Sequence, residues 1–292
     1  MHEEIYKRLE EEGRFRNHTE KSIKQYYAQT RGFLNWIGDK PLEELTLQDA
    51  RDYIAYKRNT TCSPATCNGI NTVLSFFYRI ILKKTWIHEE VPRMKQDWKL
   101  PAVCTQEEIE RLIDTATNIR NKAIIALIYS SGLRVGEVCN LAPTDIYMSS
   151  MQVHVRYSKN HGDHWTILSE RALELLKAYW YAYPQPREVL FVSLRRPHRP
   201  LNPGGVQIML KKVAEEAGVT AHPHTLRHSF ATHLIEDDTR REYVQAMLGH
   251  KSPASTAVYV HVSNMSLMGV TSPLDREKKG SGKKKSRSSK NG

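Results

Sequence analysis

Apolar residues recur at helical spacing through the first hundred positions of the chain, and capping residues mark where the helices begin. Three helix starts are recognisable: Thr19, Thr46 with Asp49, and Ser63 before Pro64. Gly38 is placed to end the first of these helices. Residues 1–92 are therefore predicted to form a small all-helical domain.

The pattern changes twice in the rest of the chain. The stretch VPRMKQDWKLPAV has no periodicity and contains two prolines, so residues 93–103 are predicted to be an interdomain linker. Thr105 and Glu108 form a capping box that opens a second domain, residues 104–275. Alternation between Asp145 and Leu168 predicts a small antiparallel sheet. The predicted fold is mainly α with this one small sheet.

Composition fits an ordinary globular protein. The 292 residues are 40% hydrophobic and 26% charged, and they suffice for two domains. The longest apolar run, residues 123–129, is too short to cross a bilayer, and the mixed charges at the N-terminus do not resemble a signal peptide. Four scattered cysteines indicate reduced packing residues and a cytoplasmic location.

The net charge of +11 suggests a polyanionic partner, but it is unevenly distributed. Residues 276–292 hold eight basic residues and one acidic residue, a net +7, which leaves +4 for the rest of the chain. This low-complexity tail is predicted to be disordered, and it either adds non-specific phosphate contacts or has no function. Several basic residues on the predicted N-terminal helices either follow a DNA backbone or are simply solvated: Lys57, Arg58, Arg79, Lys83 and Lys84.

Two arginines stand at predicted helix starts, where free backbone N–H groups favour anions. The segment HPHTLRHSFATHL, residues 222–234, places His224 and Arg227 three residues apart on one side of a helix. In SGLRVGE, residues 131–137, Arg134 begins another helix and Glu137 is positioned to orient its guanidinium. Two planar guanidinium groups suit a phosphoryl group, whose transition-state charge lies on its equatorial oxygens.

A tyrosine and a lysine complete a set for phosphoryl transfer. Gly249 is predicted to be a left-handed cap that turns His250 out of its helix, and Tyr259 follows nine residues later. A phenol with a pKa near ~10 needs activation, which nearby cations and a histidine provide. Lys159, in the predicted hairpin, is the candidate acid for a leaving 5′ oxygen. Because no carboxylate cluster has metal-ligand spacing, neither Mg²⁺ nor any other cofactor is expected.

The segments HPHTLRHSFATHL, LGHKSPASTAVYVHV and SGLRVGE resemble the signature boxes of the tyrosine recombinase (phage integrase) family, especially its Xer-like and integron-integrase-like members. Motif order and spacing agree from Thr105 to about Val262, and the N-terminal half resembles the family's helical, SAM-like core-binding domain in pattern. At matching positions the resemblance implies these roles: nucleophile Tyr259; phosphate binding by Arg134 and Arg227; assisting histidines His224 and His250; general acid Lys159; and supporting acid Glu137.

The resemblance implies a site-specific recombinase of a mobile element or chromosomal system. It would cleave and rejoin double-stranded DNA at a specific site through a 3′-phosphotyrosyl intermediate, without metal or ATP. Four copies would assemble on two DNA sites, on the nucleoid and with no membrane partner. Residues 263–274 either dock onto a neighbouring subunit, as in the family, or form a terminal helix on their own domain.

Three other functions compete with this interpretation. A type IB topoisomerase uses the same tyrosine chemistry but relaxes supercoils alone, and the short chain and Xer-like spacing argue against it. A zinc site would use several histidines (His224, His228, His233 and His250), yet the first three do not share a helix face. A non-catalytic DNA-binding relative would not be expected to keep every catalytic candidate.

Overall fold

The computed structural model describes residues 2–60, 62–96, 102–156, 162–183, 188–193, 199–249 and 272–275. The chain divides into two compact units, with the division between Lys99 and Leu100. We call them the N-terminal unit and the C-terminal unit. The predicted tail, residues 276–292, lies outside the described residues.

The described residues of the N-terminal unit form four α-helices: α1 (Glu3–Phe15), α2 (Glu20–Ile37), α3 (Leu47–Thr60) and α4 (Pro64–Phe76). The predicted caps are present. Thr19 Oγ1 accepts from the Ser22 N–H, and Gly38 ends α2 with φ +72°. Asp49 accepts from the backbone N–H of Thr46, while Ser63 caps α4 ahead of Pro64. The local sequence therefore determines where α2, α3 and α4 begin.

Aromatic side chains fill the centre of the N-terminal unit. Phe33, Tyr53 and Phe77 are almost fully buried, and the rings of Phe33 and Tyr53 meet edge-on with centroids 5.3 Å apart. Within the predicted linker region, Met94 exchanges two hydrogen bonds with the Asn68 side chain of α4. The chain is thus attached to this unit as far as Met94, and the linker bounds 93–103 stay a prediction.

The described residues of the C-terminal unit hold seven α-helices: α5 (Gln106–Thr115), α6 (Ile119–Ser131), α7 (Val135–Asn140), α8 (Glu170–Ala182), α9 (Pro203–Ala217), α10 (Pro223–Glu236) and α11 (Arg241–Met247). The capping box of Thr105 and Glu108 is confirmed, with both of its hydrogen bonds present. Helix α6 is apolar around most of its circumference and packs against α5, α8 and α10, so it forms the centre of this unit.

The predicted antiparallel sheet is confirmed and has three short strands, β1 (Ile146–Tyr147), β2 (Gln152–Val155) and β3 (His164–Ile167), in the order β1-β2-β3. Val155 pairs with His164, so β2 and β3 bracket the segment that carries Lys159. The register turns Val153, Val155 and Thr166 into the core. The sheet thereby fixes where the β2–β3 connection leaves the unit.

A short helical turn at Pro273–Asp275 packs on the C-terminal unit. Ser272 Oγ donates to the Ser130 carbonyl, and the Asp275 carboxylate accepts from the N–H groups of Glu170 and Arg171 at the start of α8. Of the segment predicted to dock, Ser272–Leu274 therefore lies on the unit of its own chain, and residues 263–271 lie outside the described residues.

None of the helices in the described ranges has the length and apolar content that a membrane crossing requires. None of the four cysteines, all of which lie in the described ranges, forms a disulfide, and Cys67, Cys104 and Cys139 are buried. Burial raises the pKa of Cys104 and of Cys139 to about 11, so both thiols stay protonated at neutral pH. The prediction that the cysteines are packing residues is confirmed for these three.

Candidate active site

Arg134 and Glu137 form a compact unit at the start of α7. Arg134 occupies the position just before the helix, and its backbone N–H donates to Glu137 Oε2 at 2.7 Å. Its guanidinium Nη1 donates to Glu137 Oε1, also at 2.7 Å. Both oxygens of one carboxylate thus hold the same residue, which fixes the direction of the Arg134 side chain. The predicted orienting role of Glu137 has a geometric basis.

Gly132 determines how closely the chain before Arg134 approaches α10. It ends α6 with φ +63°, in the left-handed region that glycine adopts without strain. A Cβ atom at this position would lie 2.4 Å from the Phe230 ring and 3.0 Å from Leu248 Cδ2. Only a residue without a side chain allows this approach. The approach places the Gly132 carbonyl within hydrogen-bond distance of Arg227.

Arg227, on α10, is buried and binds two backbone carbonyls. Its Nη1 donates to the Gly132 oxygen at 2.7 Å, and its Nη2 donates to the Leu248 oxygen at 2.6 Å. Gly132 precedes Arg134 by two residues, and Leu248 precedes His250 by two residues. A single guanidinium therefore connects three segments that are far apart in sequence.

The Glu137 carboxylate lies between the two arginines. Its Oε2 is 3.7 Å from Arg227 Nη1, and both side chains are 7% exposed. Burial raises the pKa of Glu137, but hydrogen bonds from the Arg134 backbone and guanidinium outweigh it, so the net pKa is lowered. Burial and the charge of Arg134 lower the pKa of Arg227 to about 10, which leaves it protonated at neutral pH. Two cations and one anion make a site with net positive charge.

Histidines surround the start of α10. His222 caps the helix, because its Nδ1 accepts from the Thr225 N–H at 3.1 Å, and its ring centroid lies 6.3 Å from that of His224. Burial, followed by the charges of His222, His228 and the two arginines, lowers the pKa of His224. The imidazole is therefore neutral near pH 7, where it can accept a proton or a hydrogen bond.

The turn before His250 packs on the sheet. Gly249 has φ +60°, as predicted for a left-handed cap, and its N–H donates to the Ala246 carbonyl. A Cβ atom on Gly249 would lie 2.8 Å from the buried His164 ring of β3. The His164 ring therefore limits how closely the turn before His250 can approach β3.

Four of the predicted site residues lie together at the N-terminal ends of α7 and α10: Arg134, Glu137, His224 and Arg227. The other three, Lys159, His250 and Tyr259, lie outside the described residues. Their roles stay predictions.

Sequence reasoning gave no role to two groups that the structure places at the site, the His222 side chain and the Gly132 carbonyl. His222 was unassigned, although a polar residue directly before a proline at a helix start is a recognisable cap signal. The carbonyl of Gly132 carries no sequence signal of its own, since any residue has one.

His233 points into the core, where its Nδ1 is 2.8 Å from the Tyr129 hydroxyl. That contact turns it away from the exposed side chains of His224 and His228, which the zinc interpretation would need to join.

Comparisons with known proteins agree on one family. The profile of the Phage integrase family matches residues 102–265, and that of the phage integrase N-terminal SAM-like domain matches residues 5–88. A putative integrase/recombinase y4qK of Sinorhizobium fredii is 31% identical over 275 residues, covering 93% of this chain and 88% of that protein. Tyrosine recombinase XerC of Bacillus pumilus is 33% identical over 259 residues, covering 80% and 83%.

A solved structure shares the fold. The crystal structure of a lambda integrase tetramer bound to a Holliday junction superimposes with a TM-score of 0.68 and 22% identity, covering 85% of this chain and 77% of that chain. At this level of identity the likeness concerns the fold alone.

Proposed function

Since the chain belongs to the phage integrase family of tyrosine recombinases and acts in site-specific DNA recombination, we propose that it cleaves and rejoins DNA through a covalent 3′-phosphotyrosyl intermediate, with neither metal nor ATP. In this proposal Tyr259 is the nucleophile and Lys159 the general acid. Arg134 and Arg227 bind the scissile phosphate, and His224 and His250 assist.

The observation that carries the proposal is the set of hydrogen bonds made by Arg227. Its guanidinium binds the carbonyls of Gly132 and Leu248 and lies beside Glu137, so it joins helix α10 to the segment that carries Arg134 and to the turn that precedes His250. A buried arginine that is held before the substrate arrives needs no reorganisation during the reaction, which is the condition for electrostatic stabilisation of a transition state. This geometry supports a phosphoryl-transfer site better than a surface ion pair.

The proposed step balances without an external reactant. The Tyr259 oxygen forms a bond to phosphorus while the bond from phosphorus to the 5′ oxygen breaks, and the phenol proton passes to a histidine. Burial lowers the pKa of His224 and keeps its imidazole neutral near pH 7, so it is available to accept such a proton. Lys159 gives a proton to the leaving 5′ oxygen. The phosphotyrosyl ester conserves the energy of the phosphodiester, so a second 5′ hydroxyl can attack it and rejoin the strand.

For partners, we propose double-stranded DNA with a specific recombination site, and a homotetramer that holds two such sites. The lambda integrase whose fold resembles this chain was crystallised as a tetramer on a Holliday junction. The net charge of +11 is consistent with a polyanionic partner.

The experiment that tests the proposal traps the covalent intermediate. The full chain is mixed with nicked duplexes that carry inverted-repeat sites, because loss of the short fragment beyond the nick prevents rejoining. We expect a denaturation-resistant protein–DNA adduct that forms in chelator and without ATP. Tyr259→Phe should bind the same duplexes and form no adduct, whereas Tyr243→Phe, which changes a tyrosine of α11, should form it normally. An adduct of normal yield from Tyr259→Phe would refute the nucleophile assignment.

A second measurement addresses the general acid and the alternative function. Lys159→Ala should lose cleavage of ordinary DNA and regain it with a 5′-phosphorothiolate, whose leaving group needs no proton. Strand exchange between two cognate duplexes should accompany cleavage. Relaxation of supercoils with no strand exchange would instead favour the type IB topoisomerase.

A further inference from the structure

A second cationic site lies in the N-terminal unit, in a cavity of about 450 Å³ beside α4. Three arginines line it: Arg16 from the end of α1, Arg79 from the turn after α4, and Arg93 from the segment that follows. Two histidines, His18 and His88, complete its charged and titratable lining. Among the described residues that line it, none is acidic. The cavity therefore has a strongly positive wall.

Two of the three arginines have contacts that hold them beside the cavity. Arg93 Nη2 donates to Thr72 Oγ1 at 3.0 Å. The Arg16 guanidinium lies 5.8 Å from the centroid of the Phe76 ring and pairs with Glu12. Arg79 and His88 are exposed at the rim. An anion on a large molecule can therefore reach the site from solvent.

His18 gives an independent indication of a ligand. Its ring packs between Tyr26 and Phe76, with centroids 5.4 and 5.7 Å away. Its Nδ1 atom is buried and has no hydrogen-bond partner among the described residues. A buried polar atom without a partner destabilises the folded protein, so such an atom needs an explanation. An anionic oxygen in the cavity would accept a hydrogen bond from a protonated Nδ1.

We propose that this cavity binds one phosphate group of the DNA backbone. Guanidinium groups match phosphate oxygens in geometry and charge, and three of them line one concave surface, where only Arg16 is paired with a carboxylate, that of Glu12, among the described contacts. The contact is to the backbone, so it adds affinity and orientation at every sequence. The inference rests on the proposed function, because DNA is the phosphate carrier it names.

The test measures binding of the full chain to a random-sequence duplex by fluorescence anisotropy over a range of NaCl concentrations. Removing one phosphate contact lowers the slope of log K against log salt by about 0.9. We therefore expect Arg79→Gln and Arg93→Gln each to reduce that slope by about 1 and to weaken binding about threefold to tenfold at 100 mM salt, whatever the sequence. His18→Phe keeps the aromatic packing and removes Nδ1, so it should also weaken binding. Arg8→Gln changes an exposed arginine of α1 outside the cavity and should leave the slope unchanged.

The outcomes separate this inference from the function on which it rests. If the unmodified protein shows no salt-dependent DNA binding, the proposed function itself fails. If it binds DNA and the cavity variants bind equally well, or if Arg8→Gln loses as much as they do, only the cavity proposal is refuted. Calorimetric titration with inorganic phosphate is the last arm. Phosphate binding that Arg79→Gln abolishes, together with an unchanged DNA slope, would reassign the cavity to a free anion and overturn the proposal. Thermal unfolding of each variant confirms that it is folded.

Discussion

In the C-terminal unit Arg227 is buried and bonded to two main-chain carbonyls, whereas in the N-terminal unit Arg16 is 35% exposed and held by an aromatic ring and a surface carboxylate. Both groups of arginines are proposed to bind phosphate. The first group shares a buried carboxylate, Glu137, and the second lines a cavity in which the described lining residues include no acid. The guanidinium group is thus buried and fixed in Arg227, whereas it is more exposed in the arginines of the cavity.

This difference separates two kinds of phosphate binding. A guanidinium fixed in a low-dielectric site by carbonyls and a carboxylate is expensive to bury, but it is preorganised for charge that develops during a reaction. Exposed guanidinium groups give affinity that depends on salt, and they cost the folded protein little. The buried arginine should therefore affect both stability and catalysis, while the exposed ones should affect DNA affinity alone.

The largest effect is expected from Arg227→Gln. It removes the donors to Gly132 and Leu248 and leaves Glu137 without one of its two arginine neighbours, all in a buried site. Breaking a buried ion pair typically costs about 3–5 kcal/mol, so urea denaturation should show a loss of that size. Arg241→Gln, an exposed arginine of α11, is the matched control and should change stability little. A loss below about 1 kcal/mol in Arg227→Gln would contradict the view that this guanidinium connects the three segments.

Gly132→Ala attacks the same connection through the backbone. The new methyl group would meet Phe230 at 2.4 Å in a conformation with φ +63°, and left-handed strain with overpacking costs about 2–5 kcal/mol together. Gly136→Ala is the control, since a Cβ atom there has no neighbour within 4 Å and the residue lies inside α7. It should be neutral or stabilising by up to about 1 kcal/mol. If Gly132→Ala and Gly136→Ala had the same midpoint of thermal unfolding, the contact between Gly132 and Phe230 would have to relax without cost, which would contradict this prediction.

Much of this architecture was predictable because its signals are local. The caps at Thr19, Ser63 and Thr105 and the alternation that gives the sheet depend on neighbours within a few residues. The bonds that assemble the site are different. Arg227 meets Gly132 across 95 positions and Leu248 across 21, and both acceptors are main-chain atoms that have no residue-type signal.

The N-terminal cavity was beyond prediction for a related reason. Arg79 was recognised as one of several basic residues on outward helix faces, but its meeting with Arg16 and Arg93 depends on how α1 packs against α2 and the turn after α4. Surface charge at helical spacing does not distinguish a solvated face from a concave one. The sequence could therefore suggest phosphate contacts without showing which arginines converge.

A smaller effect, with a pH dependence, is expected from Glu137→Gln. The folded-state pKa of Glu137 is lowered, mainly because the hydrogen bonds from Arg134 outweigh its burial. A group with a lowered folded pKa stabilises the protein above its unfolded pKa, about 4.3 for glutamate, and loses that contribution as the pH falls through the folded value. Urea denaturation at pH 7 should therefore give the unmodified protein a free energy of unfolding about 1–3 kcal/mol larger than that of Glu137→Gln. The difference should shrink in titrations below pH ~4, and a gap that widened there would contradict the sign of the pKa shift.

The smallest effect on stability is expected from Arg79→Gln. This variant changes an exposed arginine of the cavity and is expected to weaken DNA binding. Arg79→Gln removes a charge from the rim without removing a buried contact, so the free energy of unfolding should change by no more than about 0.5 kcal/mol. Removing one of several like charges can even stabilise the N-terminal unit slightly, since the three arginines repel one another. Thermal unfolding of the same samples used for anisotropy provides the measurement. A loss as large as that of Arg227→Gln would mean that Arg79 supports the fold, and the contrast between a buried cation proposed for catalysis and an exposed cation proposed for DNA binding would no longer hold.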